Sequence, residues 1–121
     1  MTQPTVWATE PALLGAWNGA HISVELTAQG GTVEFDCAHG AIEEPLVPDQ
    51  RGRFDVTGRY FEERGGPARA DAPEDAGMAV RYRGTAKADR MQLTVTRSDS
   101  GVRIGAFTLV RGAEPTLVKC R

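Results

Sequence analysis

Hydrophobic and polar residues alternate with a period of two along most of the chain from Trp17 onward. This alternation is typical of β-strands that bury one face and expose the other, and a helical period fits none of these windows. The alternating segments are 17–26, 33–37, 54–60, 80–87, 91–96, 104–110 and 116–120. The pattern predicts an all-β protein of seven strands, to which the segment before Trp17 adds an eighth if it is extended.

The connections between these segments indicate how the strands pair. Residues 88–90 and 98–101 are of hairpin length and rich in turn-forming residues, and connections this short cannot carry a parallel crossover. Pro45 and Pro48 interrupt the chain after the second segment, and residues 62–77 are interpreted as the only long connection, a mobile surface loop. Strands that pair in sequence order predict a small antiparallel up-and-down barrel, with a β-sandwich as the alternative.

Length and charge exclude several classes of protein. A chain of 121 residues fits a single domain, which we place at residues 15–121 after a lead-in segment at 1–14. A net charge of −2 gives no basic face, so we expect no nucleic-acid partner. No apolar run is long enough to cross a bilayer, and the first ten residues lack the features of a signal peptide. We therefore expect no membrane insertion.

Two motifs in the first half of the chain resemble those of known families. Gly15-Ala16-Trp17 resembles the G-x-W start of lipocalins and other calycin barrels. More of the chain is similar to a family of small uncharacterised bacterial β-barrel proteins. The shared features are the G-x-W strand, a following His-Ile pair, a segment like residues 34–40 (EFDCAHG) and a cysteine near the end. The resemblance implies a recurring bacterial domain, often periplasmic or secreted, and brings no assigned activity.

The two cysteines, Cys37 and Cys120, fall on apolar phases of their segments. A disulfide between them would close a loop of more than eighty residues, worth about 4–5 kcal/mol in the chain-entropy model. If the last strand closes the barrel beside the first, however, one strand separates them by about 10 Å, which is too far for a bridge. A disulfide and two buried free thiols therefore both stay open, and the exported character of the similar proteins favours the disulfide.

Metal binding and catalysis are the less favoured interpretations. Cys37 and His39 are ligand types that zinc accepts, but their spacing is not a recognised structural zinc spacing. No nucleophile motif, phosphate-binding glycine loop or metalloprotease helix occurs. We therefore expect no metal, no cofactor and no catalytic residues.

Ligand binding is the favoured function. A barrel of about eight strands is just wide enough to hold one small ligand, and Trp17, Tyr60 and Tyr82 are the candidates to line its mouth. Arg81 and Arg83 are candidates to bind an anionic group on the wet face, where they otherwise pair with nearby carboxylates such as Asp55. The sequence thus predicts a non-enzymatic module for a small apolar or anionic ligand. The alternative is a protein-interaction or structural domain that acts through its outer face or the 62–77 loop.

Overall fold

A computed structural model of the chain describes residues 12–62 and 77–117. In these ranges eight β-strands follow one another and no helix occurs: β1 (Gly15–Gly19), β2 (Ile22–Thr27), β3 (Gly30–Phe35), β4 (Ala38–Ile42), β5 (Arg53–Glu62), β6 (Met78–Lys87), β7 (Arg90–Arg97) and β8 (Arg103–Arg111). Each strand pairs antiparallel with the next, and β8 pairs with β1. The predicted up-and-down barrel is confirmed, and the sandwich alternative is wrong.

A hairpin of β1 and β2 lies where the alternation suggested one strand, and β4, which follows the second predicted strand, was not predicted. The chain turns at Ala20-His21 between β1 and β2, and again at Asp36-Cys37 between β3 and β4. Each two-residue turn switches the buried positions from odd to even numbers, since Gly19 pairs with Ile22 and Phe35 pairs with Ala38. β1 and β4 have only five residues each, too few for the alternation to reveal this switch. The first turn also needs a positive φ, which His21 supplies at 70° without the glycine or asparagine that marks such turns.

The barrel is closed by β8 and not by residues 116–120. After Arg111 the chain reverses and runs back along β1, where the Asn18 side-chain amide donates a hydrogen bond to the Ala113 carbonyl at 2.7 Å. The backbone amide of His21 then donates to the Thr116 carbonyl at 2.7 Å, and Thr116 forms an isolated parallel bridge with Ala20. The predicted last strand is therefore not a strand of the barrel wall. As far as it is described, it is a covering segment that lies against β1, and residues 118–121 lie outside the described residues.

The inward-facing residues of the strands form one hydrophobic core. Its members are Trp17, Ile22, Val24, Leu26, Val33, Phe35, Ala38, Ile42, Leu46, Phe54, Val56, Val80, Tyr82, Met91, Leu93, Val95 and Leu109. Trp17, Tyr82 and Val80 expose none of their surface, and no core residue exposes more than 6%. A water-sized void would give accessible surface to the side chains around it. The part of the interior lined by these residues is therefore filled by side chains, as eight-stranded barrels permit, and the partly buried Tyr60, Met78 and Phe107 pack against it.

Two glycines, Gly58 on β5 and Gly40 on β4, leave room for Tyr82 of β6 in this core. A Cβ atom at Gly58 would overlap the Tyr82 ring, and one at Gly40 would overlap the Tyr82 hydroxyl. The hydroxyl donates a hydrogen bond to the Arg59 carbonyl at 2.7 Å, so the buried polar atom is satisfied. Burial of the ring raises the pKa of Tyr82 well above its usual range.

Residues 43–52 form a second long connection, which joins β4 to β5 and closes one end of the barrel. Its Leu46 side chain is 1% exposed, and the Leu46 carbonyl accepts a hydrogen bond from the Leu13 amide at 2.9 Å. The prediction of a single long connection is therefore wrong. This one contributes to the core, which its two prolines gave no reason to expect.

Candidate binding site on the outer face of the barrel

Strand alternation places a row of polar side chains on the outer face of β5, β6 and β7. Phe54 and Val56 are buried, so the intervening Arg53 and Asp55 point outward, and the same holds for Arg83 and Thr85 on β6. The register sets Asp55 opposite Arg83 and Arg83 opposite Thr94, so that these side chains lie side by side across three strands.

An open pocket of about 660 Å³ lies in this polar face. Its lining residues are Asp49, Arg53, Phe54, Asp55, Arg83, Gly84, Thr85, Thr94 and Thr96. The volume falls within the roughly 300–1,000 Å³ that is typical of small-molecule sites. Charged and hydroxyl side chains share this lining with apolar atoms, among them those of Phe54.

The charges of the pocket alternate in sign. The Arg81 Nε atom donates to Asp55 Oδ1 at 2.7 Å, and Arg83 Nε lies 3.6 Å from Asp55 Oδ2. Arg53 Nε lies 3.5 Å from Asp49 Oδ2. All of these side chains are about half exposed, so the pairs contribute little to stability.

Asp49 is fixed at the pocket edge by the backbone that follows it. Its Oδ1 atom accepts hydrogen bonds from the amides of Arg53, at 2.9 Å, and Arg51, at 2.8 Å. These two bonds hold the pKa of Asp49 below its usual range, because they favour the charged carboxylate. The side chain therefore presents a negative charge beside Arg53.

The structure does not bring the predicted ligand residues together. Trp17 and Tyr82 are fully buried and line no opening, while Tyr60 is half-buried against Phe35, with ring centroids 5.2 Å apart. Arg83 lines the outer pocket, and Arg81 lies beside it through Asp55. Of the five predicted residues, only the two arginines belong to the outer face.

Cys37 was expected inside the core, and this expectation is wrong. Its residue lies in the exposed turn between β3 and β4, because the strand ends at Phe35. His39 lies on β4, stacked on the Phe61 ring with centroids 5.0 Å apart. No group of three or more His, Cys, Asp or Glu residues able to hold a metal occurs in the described ranges. Cys120, the predicted disulfide partner, lies outside them.

A side-chain hydrogen bond between two turns could not be seen in the sequence. His21 Nδ1 lies 2.6 Å from Asp36 Oδ2, which ties the β1–β2 turn to the β3–β4 turn beside Cys37. The pair becomes visible only once both turns are located, since in two unbroken strands these residues would not meet. Its position shows that the covering segment at Thr116 and the turn at Cys37 share one end of the barrel.

The fold and the pocket together define a closed eight-stranded antiparallel barrel with a polar site on its outer face, in agreement with a small calycin-like barrel. Comparisons of the chain with protein-family models, with curated proteins and with solved structures find no match. No helix in the described ranges is long and apolar enough to span a bilayer.

Proposed function

We propose that this chain is a non-enzymatic binding module that recognises a small polar ligand in the pocket on the outer face of β5, β6 and β7. The observation that carries the proposal is the position of the pocket: it lies where strand register gathers arginine, aspartate and threonine side chains. Guanidinium groups are suited to carboxylate and phosphate groups because their fork of donors matches two acceptor oxygens. The anionic group expected from the sequence thus belongs on the outer face.

The filled interior favours an external site over an internal one. A ligand inside the barrel would have to displace side chains such as Tyr82, Leu93 and Val95, each of which exposes at most 1% of its surface. Protein cores are packed about as densely as organic crystals, so such a displacement would cost stability. The barrel acts in this proposal as a rigid scaffold, since strand positions hold side chains more firmly than loops do.

A fragment screen followed by two-dimensional NMR of the ¹⁵N-labelled protein tests the proposal. We expect polar fragments to shift the backbone amides of Arg83, Thr85 and Thr94 in a saturable way, and the Arg83→Gln variant to lose these shifts. Arg90→Gln is the matched control, because Arg90 is an exposed arginine on β7 whose partners, Lys87 and Val110, do not line the pocket. Shifts that gather on core residues, or no saturable shifts at all, would overturn the proposal.

The proposal extends to a Cys37–Cys120 disulfide and an exported location. The structure removes the geometric objection to this bridge, because β8 closes the barrel and Cys120 lies beyond it in sequence. Thr116 bonds to His21, and His21 bonds to Asp36, the neighbour of Cys37. Four residues of chain reach up to about 14 Å, which suffices for Cys120 to approach that turn. No free cysteine occurs among the described residues, and disulfides persist in oxidising compartments.

Counting thiols tests this extension directly. A thiol reagent applied to the unreduced, denatured protein should find no reactive thiol, and two after reduction, since the chain has two cysteines. Two reactive thiols in protein purified from the bacterial periplasm would overturn the disulfide and, with it, the support for export.

A further inference from the structure

We infer that the pocket takes an amino-acid-sized zwitterion, a molecule that carries one carboxylate and one ammonium group. This inference rests on the proposed function and narrows it to one class of ligand. Its basis is the alternation of charges around the pocket together with the hydroxyl groups beside them.

The charges of the lining residues cancel. Arg53 and Arg83 face Asp49 and Asp55 within a single pocket. A simple anion would meet two carboxylates there, and a simple cation would meet two guanidinium groups. A ligand with both charges can place its carboxylate against a guanidinium group and its ammonium against a carboxylate. Repulsion by the like charges of the pocket then disfavours ligands that carry only one charge.

The hydrogen-bonding capacity of the pocket is only partly used. Asp55 is already engaged by Arg81 at 2.7 Å, and the 3.6 Å approach of Arg83 to the same carboxylate is too long for a hydrogen bond. Arg53 Nε lies 3.5 Å from Asp49 Oδ2, so this interaction is at most a weak one. Asp49 uses Oδ1 for two backbone amides, whereas among the described residues Oδ2 is approached only by Arg53, at 3.5 Å. Arg83 therefore keeps donors, and Asp49 Oδ2 keeps acceptor capacity, for a ligand.

Three threonines complete the site. The hydroxyls of Thr85, Thr94 and Thr96 line the pocket and make no hydrogen bond to any other described residue. Thr94 is the register partner of Arg83, so the two side chains leave the same face of the sheet side by side. We assign the ligand carboxylate to Arg83 and Thr94, and the ligand ammonium to Asp49 Oδ2. The hydrogen bonds that hold Asp49 ionised also keep it able to bind a cation.

NMR titrations with three probes of similar size test the inference: L-alanine, propionate and ethylammonium, at constant ionic strength and neutral pH. We expect alanine to bind about tenfold more tightly than either singly charged probe, with shifts at Arg53, Arg83 and Thr94. Arg83→Gln and Asp49→Asn should each remove most of this preference. The asparagine side chain of the Asp49→Asn variant retains an oxygen that accepts the two backbone amides, so the turn is preserved.

Controls and contrary outcomes separate this inference from the proposed function. Arg90→Gln and Glu25→Gln alter exposed charges away from the pocket and should leave the affinity for alanine unchanged. If other polar fragments bind the pocket but alanine has no advantage over propionate and ethylammonium, the ligand class is wrong and the binding function stands. If no fragment shifts the pocket amides, the binding function itself fails.

Discussion

Tyr82 and Tyr60 both point toward the barrel interior, but only one of their hydroxyls has a partner among the described residues. The Tyr82 hydroxyl donates to the Arg59 carbonyl at 2.7 Å, and no hydrogen bond joins the Tyr60 hydroxyl to another described residue. Removing the Tyr82 hydroxyl should therefore cost about 1–2 kcal/mol of unfolding free energy. Tyr60→Phe, the matched control, should cost less than about 0.5 kcal/mol. Urea denaturation of both variants measures the difference, and equal losses would contradict the assigned bond.

The Glu44 side chain bonds to Thr57 of β5, one residue beyond the last register pair between β4 and β5. Its Oε2 atom accepts hydrogen bonds from the Thr57 amide at 2.7 Å and the Thr57 hydroxyl at 2.8 Å, and these bonds lower the pKa of Glu44. A pKa that is lower in the folded state adds stability above the unfolded pKa and loses it as the pH falls.

Acid titration of unfolding free energy checks this consequence. Wild type should be more stable than Glu44→Gln at neutral pH, and the two should converge as the pH falls below about 4.5, where the unfolded glutamate becomes protonated. Glu25→Gln should show no such convergence, because Glu25 accepts no hydrogen bond from the described residues. A gap between wild type and Glu44→Gln that stays constant with pH would refute the role of the charge.

The pairing of β1 with β8, called the seam below, has the fewest register pairs of any two neighbouring strands in the barrel. It has two register pairs, whereas β5 and β6 have eight. Arg111 reinforces it: the guanidinium lies 4.4 Å from the Trp17 ring centroid and donates to the Leu14 carbonyl at 2.9 Å. Such a contact over an aromatic face adds to the few backbone bonds of the seam.

Arg111→Ala should consequently lower the unfolding free energy by about 1 kcal/mol. Hydrogen exchange should show the Gly112 amide, which bonds to the Ala16 carbonyl at 2.9 Å, losing more protection than the amides of Val80 and Tyr82. Arg103→Ala on the same strand is the control and should change neither quantity. An equal loss of protection throughout the barrel would contradict this prediction, because it would show that the β1–β8 pairing does not open independently of the other strands.

At the level of elements, the sequence predicted strands far better than turns. The segments between residues 54 and 110, which alternate clearly or end in turn-forming residues, match β5 to β8 closely. The Ala20-His21 and Asp36-Cys37 turns were missed, because neither contains the glycine or asparagine that marks such turns and β1 and β4 are only five residues long. Their omission placed Cys37 in the core and hid the His21–Asp36 pair.

At the scale of the whole molecule, the fold brings together pocket residues that lie far apart in the sequence, which local patterns could not predict. Sequence alternation correctly put Arg81 and Arg83 on the wet face, but only the register of β5, β6 and β7 sets them beside Asp55 and Thr94. Asp49 joins the pocket from a connection whose path depends on Leu46 entering the core. Conversely, Trp17 and Tyr82 were assigned to a mouth because aromatic size alone does not distinguish a packed core from a lined cavity.

The central claim is that the barrel is filled and recognition takes place on its outer face. Methyl NMR of the protein under xenon pressure tests it most directly, because xenon enters apolar cavities that water leaves empty. The account predicts no saturable shift of the interior methyl groups of Val24, Leu93, Val95 and Leu109. Saturable shifts of these groups would show an interior large enough for an apolar ligand and would contradict the account.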